Sequence, residues 1–305
     1  MRDTFINELV QMASENENIY LITPDMGFSI LEKFRDQFPD RFLNVGIAEQ
    51  NAVGVAAGLA LSGKTVYVYS IIPFVTMRCF EQVRVDVAYM NTNVRLVGVG
   101  AGFSYGPAGA THHSTEDISI MRSLPNMTVC CPGDPIEVRA IVKESATYKG
   151  PMYIRLGKNR EPNIHAQEAI LQIGKAAEIT HGEDLAIITT SNMLEQGYEW
   201  VKKLNEYGKS ATLLSMHTIK PFDKQPIINL IERGMSIVSL EEHNVIGGLS
   251  SAVAEVIADR GLAVRFKKIG VPDVFSHAVG DQQYIRNKYI LDGDKFQEIL
   301  AWLTI

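Results

Sequence analysis

The feature that most constrains this chain is an alternation, sustained along its length, of short β-branched runs with longer helical stretches. Asn18–Thr23 (NIYLIT), Val66–Tyr69, Val94–Val99 and Met127–Cys131 are apolar runs of strand length. Between them fall the helical stretches Thr4–Ser14, Glu49–Ser62, Phe74–Met90 and Pro135–Thr147. The last carries a start signal: Asp134 as cap and Pro135 at the first helical position, where a missing N–H costs nothing. Strand–helix alternation points to a largely parallel sheet covered by helices on both faces. Composition changes around Leu156–Gly174, where Gly157, Lys158, Asn159, Arg160, Glu161 and Pro162 precede a weakly patterned stretch. A second α/β unit follows, with strands Leu185–Thr189, Ala211–Ser215, Ser236–Leu240 and Val264–Ile269. Its helices are Met193–Tyr207, Lys224–Arg233, Gly248–Asp259 and, with an Asp cap, Asp294–Leu303. The expected architecture is two consecutive α/β domains with mainly parallel sheets: 1–160, a linker at 161–174, and 175–305.

The chain's 305 residues give room for two domains of roughly 100–200 residues each. A net charge of −6 argues against nucleic acid or anionic membrane as partner, because both need a positive face. No apolar run reaches the ~18 residues of a spanning helix, and Met1 to Asn7 lack the apolar core of a signal peptide. Cys79, Cys130 and Cys131 form neither an even framework nor a metal-ligand spacing. Reduced thiols in a cytoplasmic protein are therefore expected, with no metal ligands on this chain.

The richest segment is Arg41–Gly63, RFLNVGIAEQNAVGVAAGLALSG. It reads as an apolar strand, a turn, and a helix that Glu49 opens. Gly54, Ala56, Ala57, Gly58 and Ala60 leave that helix little bulk, so another backbone or a cofactor can come close. The helix dipole favours a carboxylate at Glu49. From the residues alone, two readings stand: a helix-initiating Glu above a tightly packed helix pair, or a carboxylate presented to a ligand.

This segment resembles the cofactor-activating motif of the transketolase and deoxyxylulose-phosphate synthase family. The resemblance implies that Glu49 hydrogen-bonds a ring nitrogen of the aminopyrimidine of thiamine diphosphate, so that the thiazolium carbon can lose its proton. Tyr69-Ser70-Ile71-Ile72-Pro73-Phe74 follows where the family places rings that stack on the aminopyrimidine, with Phe74 the candidate and Tyr69 a second. Gly109–Asp117 (GATHHSTED) is similar to the family's loop whose histidine faces the substrate carbonyl, which implies His112. A side chain that titrates near ~6.5 when free suits proton shuttling. The neighbouring His113 is a further substrate-binding candidate. In Thr23–Ser29, Asp25 matches an Asp beside the cofactor, and Ser29 a residue that binds the sugar phosphate. Arg2 and Lys158 match phosphate-holding positions, and Arg155 is an alternative to Lys158. Ser239–Val253 (SLEEHNVIGGLSSAV) resembles the family's C-terminal domain signature, with His243 read as structural.

The resemblance covers the chain but only the later two of the family's three domains. The Gly-Asp-Gly segment that holds magnesium and the diphosphate has no counterpart here. The implied enzyme is therefore split: an N-terminal partner chain carrying the Mg2+ ligands, two copies of each chain, self-association, and a phosphorylated sugar substrate. Two departures bear on that substrate. Ala108 stands where the family often has a hydroxyl-reading Asp, and Gly100, Ala101 and Gly102 where transketolases proper carry another His. Rival readings are the β subunit of a 2-oxo acid dehydrogenase, a deoxyxylulose-phosphate-synthase-like enzyme using pyruvate, and a non-catalytic scaffold.

Overall fold

The buried β-branched runs pair edge to edge, as strands that are apolar on both faces must. The computed structural model describes residues 1–167, 169–261 and 263–303. The first half supplies β1 (Ile19–Thr23), β2 (Phe42–Asn44), β3 (Thr65–Ile71), β4 (Val94–Val99), β5 (Thr128–Cys130) and β6 (Met152–Leu156). The second supplies β7 (Ala177–Thr180), β8 (Leu185–Thr189), β9 (Ala211–Ser215), β10 (Thr218–Lys220), β11 (Ser236–Asn244) and β12 (Phe266–Val271). One sheet has the order β10-β5-β6-β4-β3-β1-β2, the other β12-β11-β8-β9-β7. Pairing is parallel except for β10 against β5 and β7 against β9. The fold is thus α/β with two mostly parallel sheets, but β10 crosses from the second half to edge the first sheet. Residues 152–156, next to the composition change, form a fully buried strand.

The helix expected over Phe74–Met90 is broken into pieces: Ile72–Thr76, Phe80–Gln82 and a wide π-type turn, Val83–Tyr89. Side chains take carbonyls that a continuous ladder would use. Thr76 Oγ1 donates to Ile72 O, and Cys79 Sγ to Phe74 O. Asp134 caps the helix Pro135–Ser145 as expected, accepting from Glu137 N.

The two halves share buried apolar surface. One cluster runs from Val53 and Ala56 through Val129 and Cys131 to Ile188, Leu214 and Met216. Above it sits a charged junction. Arg155, at the end of β6, is wholly buried and donates from Nε to Asp117 Oδ2 at 2.8 Å. Its Nη1 reaches Ser191 Oγ, and its Nη2 reaches Ser114 O and Glu242 O. Tyr153 OH donates to the same Asp117 oxygen at 2.6 Å. Burial works against the Arg155 charge, but Asp117 beside it reverses the balance and raises its pKa. Arg155 is therefore not a substrate ligand: the fold uses its donors internally and seals it from solvent.

Parallel pairing sends the ends of β1, β2, β3, β4 and β6 to the same edge, where ligands of open α/β sheets bind. Asp25, Glu49, Phe74, His112 and Lys158 all follow these strand ends. Removing one member of the junction strands a buried charge. Arg155→Met is expected to lower stability by about 3–5 kcal/mol, seen as a reduced urea midpoint. An unchanged midpoint would deny the junction its structural role.

Candidate active site

Glu49 is the first residue of the helix Glu49–Leu61 and only 4% exposed. Its Oε2 accepts from Arg78 Nη1 at 2.8 Å. Around the pair, Ile47, Ala48, Gln50 and Asn51 line a cavity of about 500 Å³. The break in the 72–89 region matters here, because it leaves Arg78 between helical pieces and free to reach Glu49. The Arg78 guanidinium lies 4.2 Å from the centre of the Phe74 ring. Phe74 meets the His112 ring edge-on at 5.1 Å, and Tyr105 lies 5.9 Å from His112 on another side. Lys158 Nζ sits 4.0 Å from the Tyr105 ring centre. A continuous row of contacts thus links Glu49, Arg78, Phe74, His112, Tyr105 and Lys158.

The His112 imidazole is oriented by Thr111 Oγ1, 2.9 Å from Nδ1. At the far end, Arg2 lies close enough for its charge to act on Tyr69, Tyr105 and Lys158. Partial burial and then Arg2 lower the Lys158 pKa. Two cations held together beside an aromatic ring suit an anionic group. Asp25, with a left-handed φ of 57°, exchanges hydrogen bonds with Asn44. This ties the turn after β1 to the turn after β2. Ser29 is exposed at φ 62°, its N–H on Glu32 Oε1, and takes no part in the row.

Burial corrects two further expectations. Tyr69 lies inside β3 with both sheet faces covered; its ring stacks on Phe5 at 5.8 Å and is 1% exposed. It cannot stack on an incoming cofactor, and burial pushes its phenol pKa up. His113 points inward rather than toward a substrate. Its ring is buried edge-on against Phe103 at 5.1 Å, with Nε2 3.3 Å from Gly106 O. Arg78, Tyr105 and Asn44 were not anticipated from sequence. The only signal for Arg78 was an Arg within the apolar stretch Phe74–Phe80.

A parallel α/β domain that offers a buried carboxylate at this edge, followed by a second α/β domain, defines a chain of the thiamine-dependent type. The transketolase pyrimidine-binding domain model matches residues 1–162, and the transketolase C-terminal domain model residues 174–295. One of the two subunits of an apulose-4-phosphate transketolase from Actinobacillus succinogenes is 39% identical over 271 residues, 89% of this chain and 87% of that protein. A 6-deoxy-6-sulfo-D-fructose transketolase subunit of a Clostridium species is 36% identical over 290 residues, 95% of this chain and 89% of that protein. A solved split-gene transketolase, described as an inactive beta4 tetramer, superimposes with a TM-score of 0.88 at 34% identity, covering 99% of this chain and 96% of that one. The chain belongs to the transketolase family.

Burial also depresses the His113 pKa. A folded value below the unfolded ~6.5 means that its contribution to stability is complete above that pH and is lost as the pH falls toward the folded value. Histidine NMR should show one imidazole, absent in His113→Gln, that titrates below the ordinary range. Titration of that signal at or above ~6.5 would contradict the buried placement.

Proposed function

We propose that this chain is one subunit of a two-chain transketolase that moves a two-carbon ketol unit from a ketose phosphate to an aldose-type acceptor. The observation that carries this reading is the buried Glu49 carboxylate, open to a cavity and joined through Arg78 and Phe74 to His112. These residues fit the pyrimidine half of thiamine diphosphate: a nearly buried acceptor for a ring nitrogen and an aromatic face. When bound, the cofactor supplies the carbon nucleophile and electron sink of the transfer. Glu49 would hold the pyrimidine and fix its tautomer, with Arg78 released from the carboxylate. His112, between Phe74 and Tyr105, would give and take protons at the substrate carbonyl and hydroxyl oxygens. Arg2 and Lys158 would hold the substrate's terminal anion, a phosphate or a sulfonate, as the substrate names of the two relatives suggest.

Among the described residues, no group of three or more His, Cys, Asp or Glu is gathered as a metal site. We therefore assign the Mg2+ and diphosphate ligands to an N-terminal-type partner, with two copies of each chain in the assembly. Apolar side chains left open beside the site support a covered surface: Ile47 is 81% exposed and Phe28 79%. The inactive state given for the beta4 neighbour agrees with self-association that is not sufficient for activity. No described helix is long and apolar enough to cross a membrane.

The test is to purify the chain from its host with whatever binds it, then assay ketose-phosphate and pyruvate donors. A second chain with bound thiamine diphosphate and turnover of a ketose phosphate is expected. Turnover of pyruvate alone, or a lone chain without cofactor, would overturn the reading. In the same complex, Glu49→Gln should slow exchange of the cofactor's thiazolium proton by about 10²–10⁴-fold with the fold intact. His112→Ala should lower turnover while leaving cofactor affinity unchanged. Wild-type exchange in the Glu49 variant would remove that residue from the mechanism.

A further inference from the structure

We propose that Glu242, in the second α/β domain, is a positioning residue for His112, acting through the loop that carries it. The proposal rests on the active-site reading above and adds a domain that contributes nothing to the row of site contacts. The loop between β4 and the helix Asp117–Ser123 closes on itself, with Ser114 N donating to Gly102 O and His112 near the tip. Such a loop has few bonds of its own and would sample many conformations if left free.

The second domain holds it at three levels. At the base, Arg155 Nη2 bridges Ser114 O and Glu242 O, and Asn244 N donates to Thr115 O at 2.7 Å. On the incoming arm, the Glu242 carboxylate enters the loop's backbone: Oε1 accepts from Phe103 N at 3.0 Å. Gly102 makes the approach feasible, since a Cβ there would lie 2.4 Å from Glu242 Cδ. On the outer side, Gly106 packs so closely on Gly280 O that a Cβ would fall 2.3 Å from it.

Glu242 is itself fixed. Arg286 Nη2 donates to Oε2 at 2.6 Å, and Gln282 Nε2 donates to both carboxylate oxygens at 3.1 and 2.8 Å. Gln282 also touches the loop directly through Ser104 Oγ at 3.2 Å. Its Oε1 accepts from Asn159 Nδ2, next to Lys158 in the chain. The carboxylate is therefore the node at which a helix of the second domain, Gln282–Tyr289, meets the arm preceding Tyr105. A buried charge with all its bonds made fixes geometry tightly, because any loop displacement leaves it unpaired. Phe103, held at its N–H by Glu242, in turn supports the buried His113 ring, so that the adjacent His112 side chain projects to the opposite side.

The deciding experiment uses the full chain alone, without turnover. Amide exchange across 103–114 is compared in wild type, Glu242→Ala, Glu242→Gln and Gln282→Ala, with β3 as internal reference. Exchange in the loop should rise about tenfold or more in Glu242→Ala, with β3 unchanged, and by less in Glu242→Gln, which keeps one acceptor for Phe103 N. The His112 imidazole NMR signal should broaden or shift in parallel. Should Glu242→Ala fail to fold, Gln282→Ala, which buries no unpaired charge, decides by the same readouts. In the complex purified from the host, the variants should lower kcat without changing cofactor affinity, with partial recovery in Glu242→Gln. Unchanged loop exchange and an unchanged His112 signal in both folded alanine variants would overturn the proposal. Absence of turnover in the wild-type complex would instead overturn the transketolase reading and leave the loop measurement to stand.

Discussion

A guanidinium with no access to water is the constraint around which the two halves are arranged. Arg155 ends a strand of the first sheet, yet its partners come from the His112 loop, from the following helix and from the second domain. Removing such a charge from water is costly, and only a complete set of well-directed acceptors offsets it. Asp117, Ser191 and the carbonyls of Ser114 and Glu242 form that set, so the strand end, loop base and second domain hold one another in place. The apolar contact beneath brings the halves together without specifying a direction. The polar junction supplies the direction.

On that frame, the site follows from topology. Parallel strands deliver their C-terminal ends to one edge, and the turns beyond them carry Asp25, Glu49, Phe74, His112 and Lys158. Contact between these residues depends on side chains that turn back toward one another: Arg78 onto Glu49 and Phe74, and Tyr105 between His112 and Lys158. The row has an acceptor at one end and paired cations at the other. Exposed Ile47 and Phe28 beside it fit a surface that a second chain would complete.

Much of the fold was legible because its signals are local. β4, β8 and β9 coincide with the apolar runs that marked them, and a helix begins at Glu49 and another behind the Asp134 cap. What differed was of two kinds. Where side chains compete for backbone carbonyls, as those of Thr76 and Cys79 do, an expected helix is broken. Where a strand abuts a composition change, as β6 does, its short apolar run does not stand out as an element. β10 was invisible for another reason: three residues have no period to read, and their partner lies in the other half of the chain.

The sequence by itself determined two α/β units, their mainly parallel pairing, the helix that Glu49 opens, and the order in which the edge residues follow their strands. Only the tertiary structure decided which of several nearby candidates face that edge. Phe74 does while Tyr69 is sealed on Phe5, His112 does while His113 packs on Phe103, and Lys158 does while Arg155 is locked to Asp117. In each case the side chains have similar local chemistry. Which one meets solvent is set by the layers packed against the sheet and by partners distant in the chain, and neither is encoded in spacing along the chain.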